Sequence, residues 1–284
     1  MLAILLKWGL SSSVLWALSL IIWRQHQGFH RASSRAIDLL NLLFLNLFLV
    51  SATVMVTGLA GLLTANKLAG MALIGWLLIL LFQRRALQKA TQRLLHLLQG
   101  VKEVAGHRPL QATLLAGVLA FLMLRMVLHI WYLPPYIHDV STYHLPRVAE
   151  WILNGNLTLP HSPVKRIYWP AGFELIQTWW AIFPHHDAVI EAAALPFFFL
   201  ALGAVFTLGR SLGLPRTTAA WCSILFAFTP AFALNATSSK NDIAIAALYL
   251  YLAALWAKPV QQRLVPRRWL LTTLLKEELG FQGF

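Results

Sequence analysis

Between positions 138 and 147 the chain sets a carboxylate, two imidazoles, a phenol and a guanidinium: Asp139, His138, His144, Tyr143 and Arg147. A carboxylate takes up a proton or holds a cation, an imidazole does either near neutral pH, and a guanidinium grips phosphate through paired N–H donors. The group follows an apolar run over 110–133. That run closes on Trp131, Tyr132 and Pro134-Pro135, the pattern of a helix stopping at a membrane–water interface. Ionisable side chains at membrane depth are costly, so they usually line a cavity where transport or chemistry takes place. A solvated polar loop would have the same composition, and both readings stand at this point.

The elements that must hold these groups are membrane helices. Of 284 residues, 58% are hydrophobic and only 12% charged, with a mean hydropathy of +0.65, whereas a soluble domain carries about 25% charge. The 12 tryptophans suit interfacial belts. The single cysteine, Cys222, lies inside an apolar run, which leaves no disulfide framework and no thiolate metal site. A formal charge of +13 would suit nucleic acid, but the basic residues sit in short segments between apolar runs. No nucleic-acid partner is expected.

The apolar runs predict about seven spans, near 2–23, 38–63, 68–83, 110–133, 188–208, 217–235 and 243–257. The third and seventh are near the lower limit for crossing. Every second connection is basic. Arg24, Arg31 and Arg35 follow the first span, Arg84, Arg85, Lys89, Arg93, Lys102 and Arg108 the third, Arg210 and Arg216 the fifth, and Lys258, Arg263, Arg267 and Arg268 the seventh. Only Lys67 lies between the second and third. The positive-inside rule then places the amino terminus outside and the carboxyl terminus inside.

Residues 84–103 set Leu87, Leu94, Leu95, Leu97 and Leu98 among basic residues at helical spacing, which predicts an amphipathic helix on the cytoplasmic leaflet or, alternatively, a partner-binding helix. The first span reads as an anchor rather than a cleaved signal, interrupted by Ser11-Ser12-Ser13. The tail from Leu274 to Phe284 does not read as a span, and no phosphate-binding glycine loop or metalloprotease helix motif is present. Residues 1–109 thus form a three-span region with a basic cytoplasmic segment, 110–257 a second unit, and 258–284 a basic cytoplasmic tail.

The acids gather on the opposite side. Asp139, Glu150, Glu174, Asp187, Glu191 and Asp242 all map to the extracytoplasmic face or its edge, with His138, His144, His161, His185 and His186. The loop 135–187 is long for a connection, and such loops tend to be functional. Ser141 or Thr142 should cap a helix through Tyr143 to Leu153 with Pro146 near its first turn and Asn154-Gly155 at its end. A second helix should run from Ala171 to Phe183 with Phe173, Ile176, Trp180 and Phe183 on its apolar face. Both are expected to lie along the membrane surface. His185-His186-Asp187 fits either a metal site or a polar collar. Glu191 either pairs with Arg125 or reaches the interface.

Three motifs in order resemble the bacterial integral-membrane glycosyltransferases of the GT-C class, and within it the group related to protein mannosyltransferases and lipid A aminoarabinose transferases. They are Asp139-x-x-x-Tyr143-His144-Leu145-Pro146-Arg147-Val148-Ala149-Glu150-Trp151, then Arg166-x-x-x-Pro170-Ala-Gly172-x-Glu174, then Ser238-Ser239-Lys240-Asn241-Asp242. The resemblance covers about 110–257. It implies an all-α polytopic membrane protein of the cytoplasmic (inner) membrane, with a large extracytoplasmic loop carrying short interfacial helices. It also implies transfer of a sugar from a polyprenyl phosphate to an acceptor hydroxyl, with inversion. Asp139 is then the candidate base, or a metal ligand, and Asp242 its partner acid. Together they are candidate ligands for a divalent Mg or Mn ion. Arg147, Lys165, Arg166 and Lys240 are candidate phosphate partners, with Tyr143, His144, Glu174 and Asn241 completing a substrate site. Trp169 and Trp179 join Tyr143 as stacking faces for the sugar. Asp242 could equally be a helix cap. Members of the family continue for further spans, so this core would lack the C-terminal half. The alternative is a non-catalytic membrane subunit of the same scaffold that binds lipid or a larger membrane complex.

Overall fold

A long apolar run in a membrane has to satisfy every backbone hydrogen bond within itself, which makes it a helix. The computed structural model describes residues 1–27, 35–106, 109–135, 137–159, 164–168, 170–187 and 189–264, and every regular element among them is helical. They are α1 (Leu2–Gln27), α2 (Arg35–Leu59), α3 (Ala65–Leu78), α4 (Arg84–Gly106), α5 (Pro109–Tyr132), α6 (Leu145–Asn154), α7 (Gly172–Ala181), α8 (Leu195–Ser211), α9 (Arg216–Ala227), α10 (Pro230–Asn235) and α11 (Asp242–Leu264). Arg31, Arg108, His161, Trp169 and the tail from 265 onward lie outside the described residues.

Five helices are long and apolar enough to cross a membrane: Leu2–Gln25, Ala36–Leu59, Ala65–Leu97, Pro109–Tyr132 and Ile190–Ser211. The chain is therefore read as a multi-pass membrane protein. The two last expected spans differ. Over 217–235 the helix breaks at Thr229, whose ψ of 121° is extended because the Pro230 ring disfavours helical geometry in the residue before it. The result is two short helices. In α11 the apolar stretch is Asp242–Ala257, shorter than the other five. The third span differs in the other direction. A π turn over Ile79–Gln83 joins α3 to α4, so the expected amphipathic segment continues that span without a break. Its Leu94 and Leu97 pack on Trp23 of α1 and Leu42 of α2.

At the centre, α8 packs against α11, α9 and α2, and α7 packs against α2. Gly203 of α8 lets Leu40 of α2 come so close that a Cβ there would stand 2.4 Å from Leu40 Cδ2. The serine run in α1 is not an interruption. Ser12 Oγ accepts from Trp179 Nε1 at 3.2 Å and Ser13 Oγ from Trp76 Nε1 at 2.9 Å, so polar atoms in an apolar helix satisfy indole donors on its neighbours. The Trp8 and Trp180 rings meet at 5.2 Å beside them. On the α6 side, Gly155 adopts a φ of +64° that ends the helix as its sequence predicts, and its carbonyl accepts the Leu63 N–H at 3.0 Å. The α2–α3 turn and the end of α6 thus sit together at one end of the bundle.

Candidate functional site

Asp139 heads a helical stretch that begins as a π turn over Val140–His144 and continues as α6. The expected caps are not made. Ser141 Oγ donates back to the His138 carbonyl at 3.0 Å and Thr142 Oγ1 to that of Asp139 at 3.3 Å, so both hydroxyls lie along the helix. Tyr143 and His144 are both buried in the π turn, with ring centroids 4.2 Å apart. Arg147 follows on the inward face of α6 with Val148 and Trp151.

Opposite stands α7. It carries Phe173, Glu174, Ile176, Gln177, Thr178, Trp179 and Ala181 as buried residues, so it is enclosed in the bundle rather than resting on its surface. Glu174 Oε1 accepts from Arg147 Nη1 at 2.8 Å and lies 2.8 Å from His144 Nδ1, with side-chain exposures of 3%, 1% and 3%. The second terminal nitrogen of Arg147 donates to the Arg166 carbonyl at 3.1 Å and also to the Ile167 carbonyl. One buried guanidinium thereby ties α6 to α7 and hangs the short turn Lys165–Tyr168 from both. Unpaired, this charge would be prohibitive, and the carboxylate and the two carbonyls make its burial tolerable.

The hung turn presents Arg166 to Asp139, with Nη1 to Oδ1 at 3.0 Å. From the far end of the sequence Lys240 brings Nζ to 3.8 Å from Asp139 Oδ2. These three side chains are partly exposed, at 30% for Asp139, 52% for Arg166 and 28% for Lys240. Lys240 is held in place from below, since Gln177 Nε2 of α7 donates to the Ser239 carbonyl at 2.9 Å. The site is therefore one carboxylate gripped by two cations from separate segments over a buried polar floor.

Asp242 is exposed and opens α11, where an acid suits the helix dipole. Asn241, half-buried, precedes it and accepts the Ile245 N–H through its carbonyl at 3.0 Å, and Lys165 is exposed on the hung turn. The Tyr143 phenol is pushed above its usual range, first by burial, then by the negative charges of Asp139, Glu174 and Asp242, against the opposing pull of Arg166. Both candidate catalytic acids thus act on one phenol.

A divalent ion would want several oxygen ligands. Among the described residues no group of three or more His, Cys, Asp or Glu side chains could hold a metal, and Asp139 is already engaged by Arg166 and Lys240. This arrangement does not fit a two-carboxylate ion site. His186 Nδ1 and Asp187 Oδ1 pair at 3.2 Å, both exposed, as a polar collar. Glu191 is buried with its Oε2 4.0 Å from His129 Nδ1, so its neighbour is His129, and neither of the two expected outcomes, a pair with Arg125 or a reach to the interface, is seen among the described residues. Trp179 turns its buried ring into the bundle, where its indole is satisfied by Ser12.

Gln177 was not foreseen in the sequence, and Ser239 was named there only as part of the third motif, without a role; both are fully buried. A glutamine and a threonine placed three and four residues after Glu174 in an otherwise apolar helix are the available signal. Comparison with known proteins gives no matching family model, no matching curated protein and no matching solved structure.

Proposed function

We propose that the chain carries the site of a glycosyltransferase that uses a polyprenyl-phosphate sugar at the extracytoplasmic face of the membrane. The observation that carries this reading is the grouping of Asp139 with Arg166 and Lys240, a proton acceptor and two phosphate-binding cations on a partly open surface. In the reaction the acceptor hydroxyl oxygen attacks the anomeric carbon from the face opposite the leaving group, so the configuration inverts. Its proton passes to Asp139. The anomeric C–O bond to phosphate breaks, and the electron pair leaves on the phosphate oxygen, where Arg166 and Lys240 balance the charge.

The resting ion pairs have a use in this scheme. A donor phosphate that draws Arg166 and Lys240 to itself leaves the Asp139 carboxylate free to take the acceptor's proton. Lys165 lies on the same turn as Arg166 and adds to the positive rim, while Asp242 at the head of α11 adds negative charge near Tyr143.

The test is transfer of labelled sugar from a polyprenyl-phosphate donor in membranes that contain the chain. Asp139→Asn is expected to lose about 10²–10⁴ in rate, since the amide keeps the shape but accepts no proton. Arg166→Ala should weaken donor use instead. Full activity in Asp139→Asn would overturn the mechanism.

A second reading, a membrane subunit that binds lipid or a larger complex, is favoured by one specific observation. Only 17% of the most apolar window of α5 is buried, which leaves most of that helix to other neighbours. A parent chain inactive with every lipid-linked sugar, yet isolated with a stable membrane partner, would favour it.

A further inference from the structure

The helix α5 buries only a single stripe, Leu122, Met126 and Ile130, against the bundle. On the flank of that stripe runs an open groove of about 410 Å³ lined by Phe121, Leu124 and Leu128, with Arg125 and His129 one turn apart and Tyr132 at its mouth. Arg125 is partly exposed and has no hydrogen bond or ion pair to any described residue. Among the described residues the acid beside the pair is Glu191, which is buried 4.0 Å from His129 and is not part of the groove lining. A guanidinium on an apolar, membrane-facing surface without a counter-ion is costly, and its position tells what would relieve it.

Arg125 lies seven residues before Tyr132, about 10 Å along the axis at 1.5 Å per residue. An arginine at that depth is long enough to extend its head group toward an interface, here the one marked by Trp131 and Tyr132. The lined stretch from Phe121 to Tyr132 is about 17 Å long, close to one leaflet of a bilayer whose hydrocarbon core is about 30 Å thick. Within the groove Phe121 and Leu124 lie on the side of Arg125 away from that interface, and Arg125 and His129 lie nearer to it. We propose that this flank of α5 seats an anionic phospholipid, its phosphate on Arg125 and His129 beside Leu128 and one acyl chain starting along Leu124 and Phe121. The seat is separate from the Asp139 site and independent of its chemistry.

The experiment uses the purified, delipidated full chain in detergent, titrated with phosphatidylglycerol, phosphatidylcholine or inorganic phosphate. Bound lipid is read by native mass spectrometry and by the shift in unfolding midpoint. Phosphatidylglycerol should be retained about tenfold more tightly than phosphatidylcholine, the difference one charge-assisted contact provides, and phosphate alone should give no shift. Arg125→Gln should erase that preference without changing the lipid-free midpoint. Leu128→Trp, which fills the groove and keeps Arg125, should weaken both lipids, so a poorly folded Arg125 variant does not leave the idea without a test. Equal retention of the two lipids by the parent would overturn the proposal, as would an intact preference in both variants. A full effect from phosphate alone, or a dimer that Arg125→Gln dissociates, would also overturn it.

Discussion

Arg147 on α6 and Glu174 on α7 meet at 2.8 Å with both side chains almost wholly out of solvent, at 1% and 3% exposure. That contact is the joint on which the loop carrying Asp139 is assembled. Removing one member of such a pair costs more than removing both, because the survivor stays charged and buried.

Glu174→Leu is therefore expected to lower stability by about 3–5 kcal/mol. The double variant Arg147→Met, Glu174→Leu should recover a large part of that loss. Unfolding monitored by tryptophan fluorescence in detergent checks both. Equal losses in single and double variants would mean that the ion pair does not hold the loop.

Gly203 and Gly117 offer a matched comparison. A Cβ on Gly203 would stand 2.4 Å from Leu40 Cδ2 in the packed core, while one on Gly117 meets nothing within 4 Å. Gly203→Ala should cost about 1–3 kcal/mol through overpacking. Gly117→Ala should be neutral or slightly stabilising, since it removes a flexible residue from a helix interior. The same unfolding measurement separates them.

Tyr143 sets a direction with pH. Its phenol is raised by burial and by Asp139, Glu174 and Asp242, so the folded state favours the neutral form more than the unfolded chain does. Its stabilising contribution is then complete below the ordinary phenol range near pH 10 and is lost as pH rises through the higher folded value. The difference between the ultraviolet titrations of the parent and Tyr143→Phe should place Tyr143 above that range. Asp139→Asn, which removes one negative neighbour, should bring it down.

The sidedness assigned from charge can be checked directly. A reporter fused after Gly155 should be active only outside the cytoplasm, and one fused after Gln99 only inside. The hydrogen bond from Leu63 to Gly155 puts the α2–α3 turn on the Gly155 side, so a fusion at Gly61 should follow Gly155. Opposite behaviour of Gly61 and Gly155 would contradict the fold, and reversal of all three would invert the charge rule.

The long spans were legible because an apolar run without proline has only one good backbone solution in a membrane. The run 217–235 misled, since hydropathy averages over Thr229-Pro230 while the backbone cannot. The candidate site was legible as a set of residue types: Asp139 stood out in the ionisable cluster after the apolar run, while Arg166 and Lys240 entered through the family resemblance. Their pairing was not. It depends on Arg147 holding the carbonyls of Arg166 and Ile167, and on Gln177 holding that of Ser239, contacts between residues far apart in sequence. No periodicity encodes such contacts. The burial of His144, Arg147 and Glu174 was hidden for the same reason, since polar residues look alike in sequence whether they face solvent or one another.

From Ala65 to Gly106 the helix runs unbroken. At 1.5 Å per residue it is a shaft of about 60 Å, roughly twice the hydrocarbon thickness. Its foot is capped by Thr64, whose neighbour Leu63 donates its N–H to Gly155 where α6 ends, and its far portion lies beyond the apolar stretch. A tilt of α4 is consequently carried by one continuous helix to the turn where α6 ends.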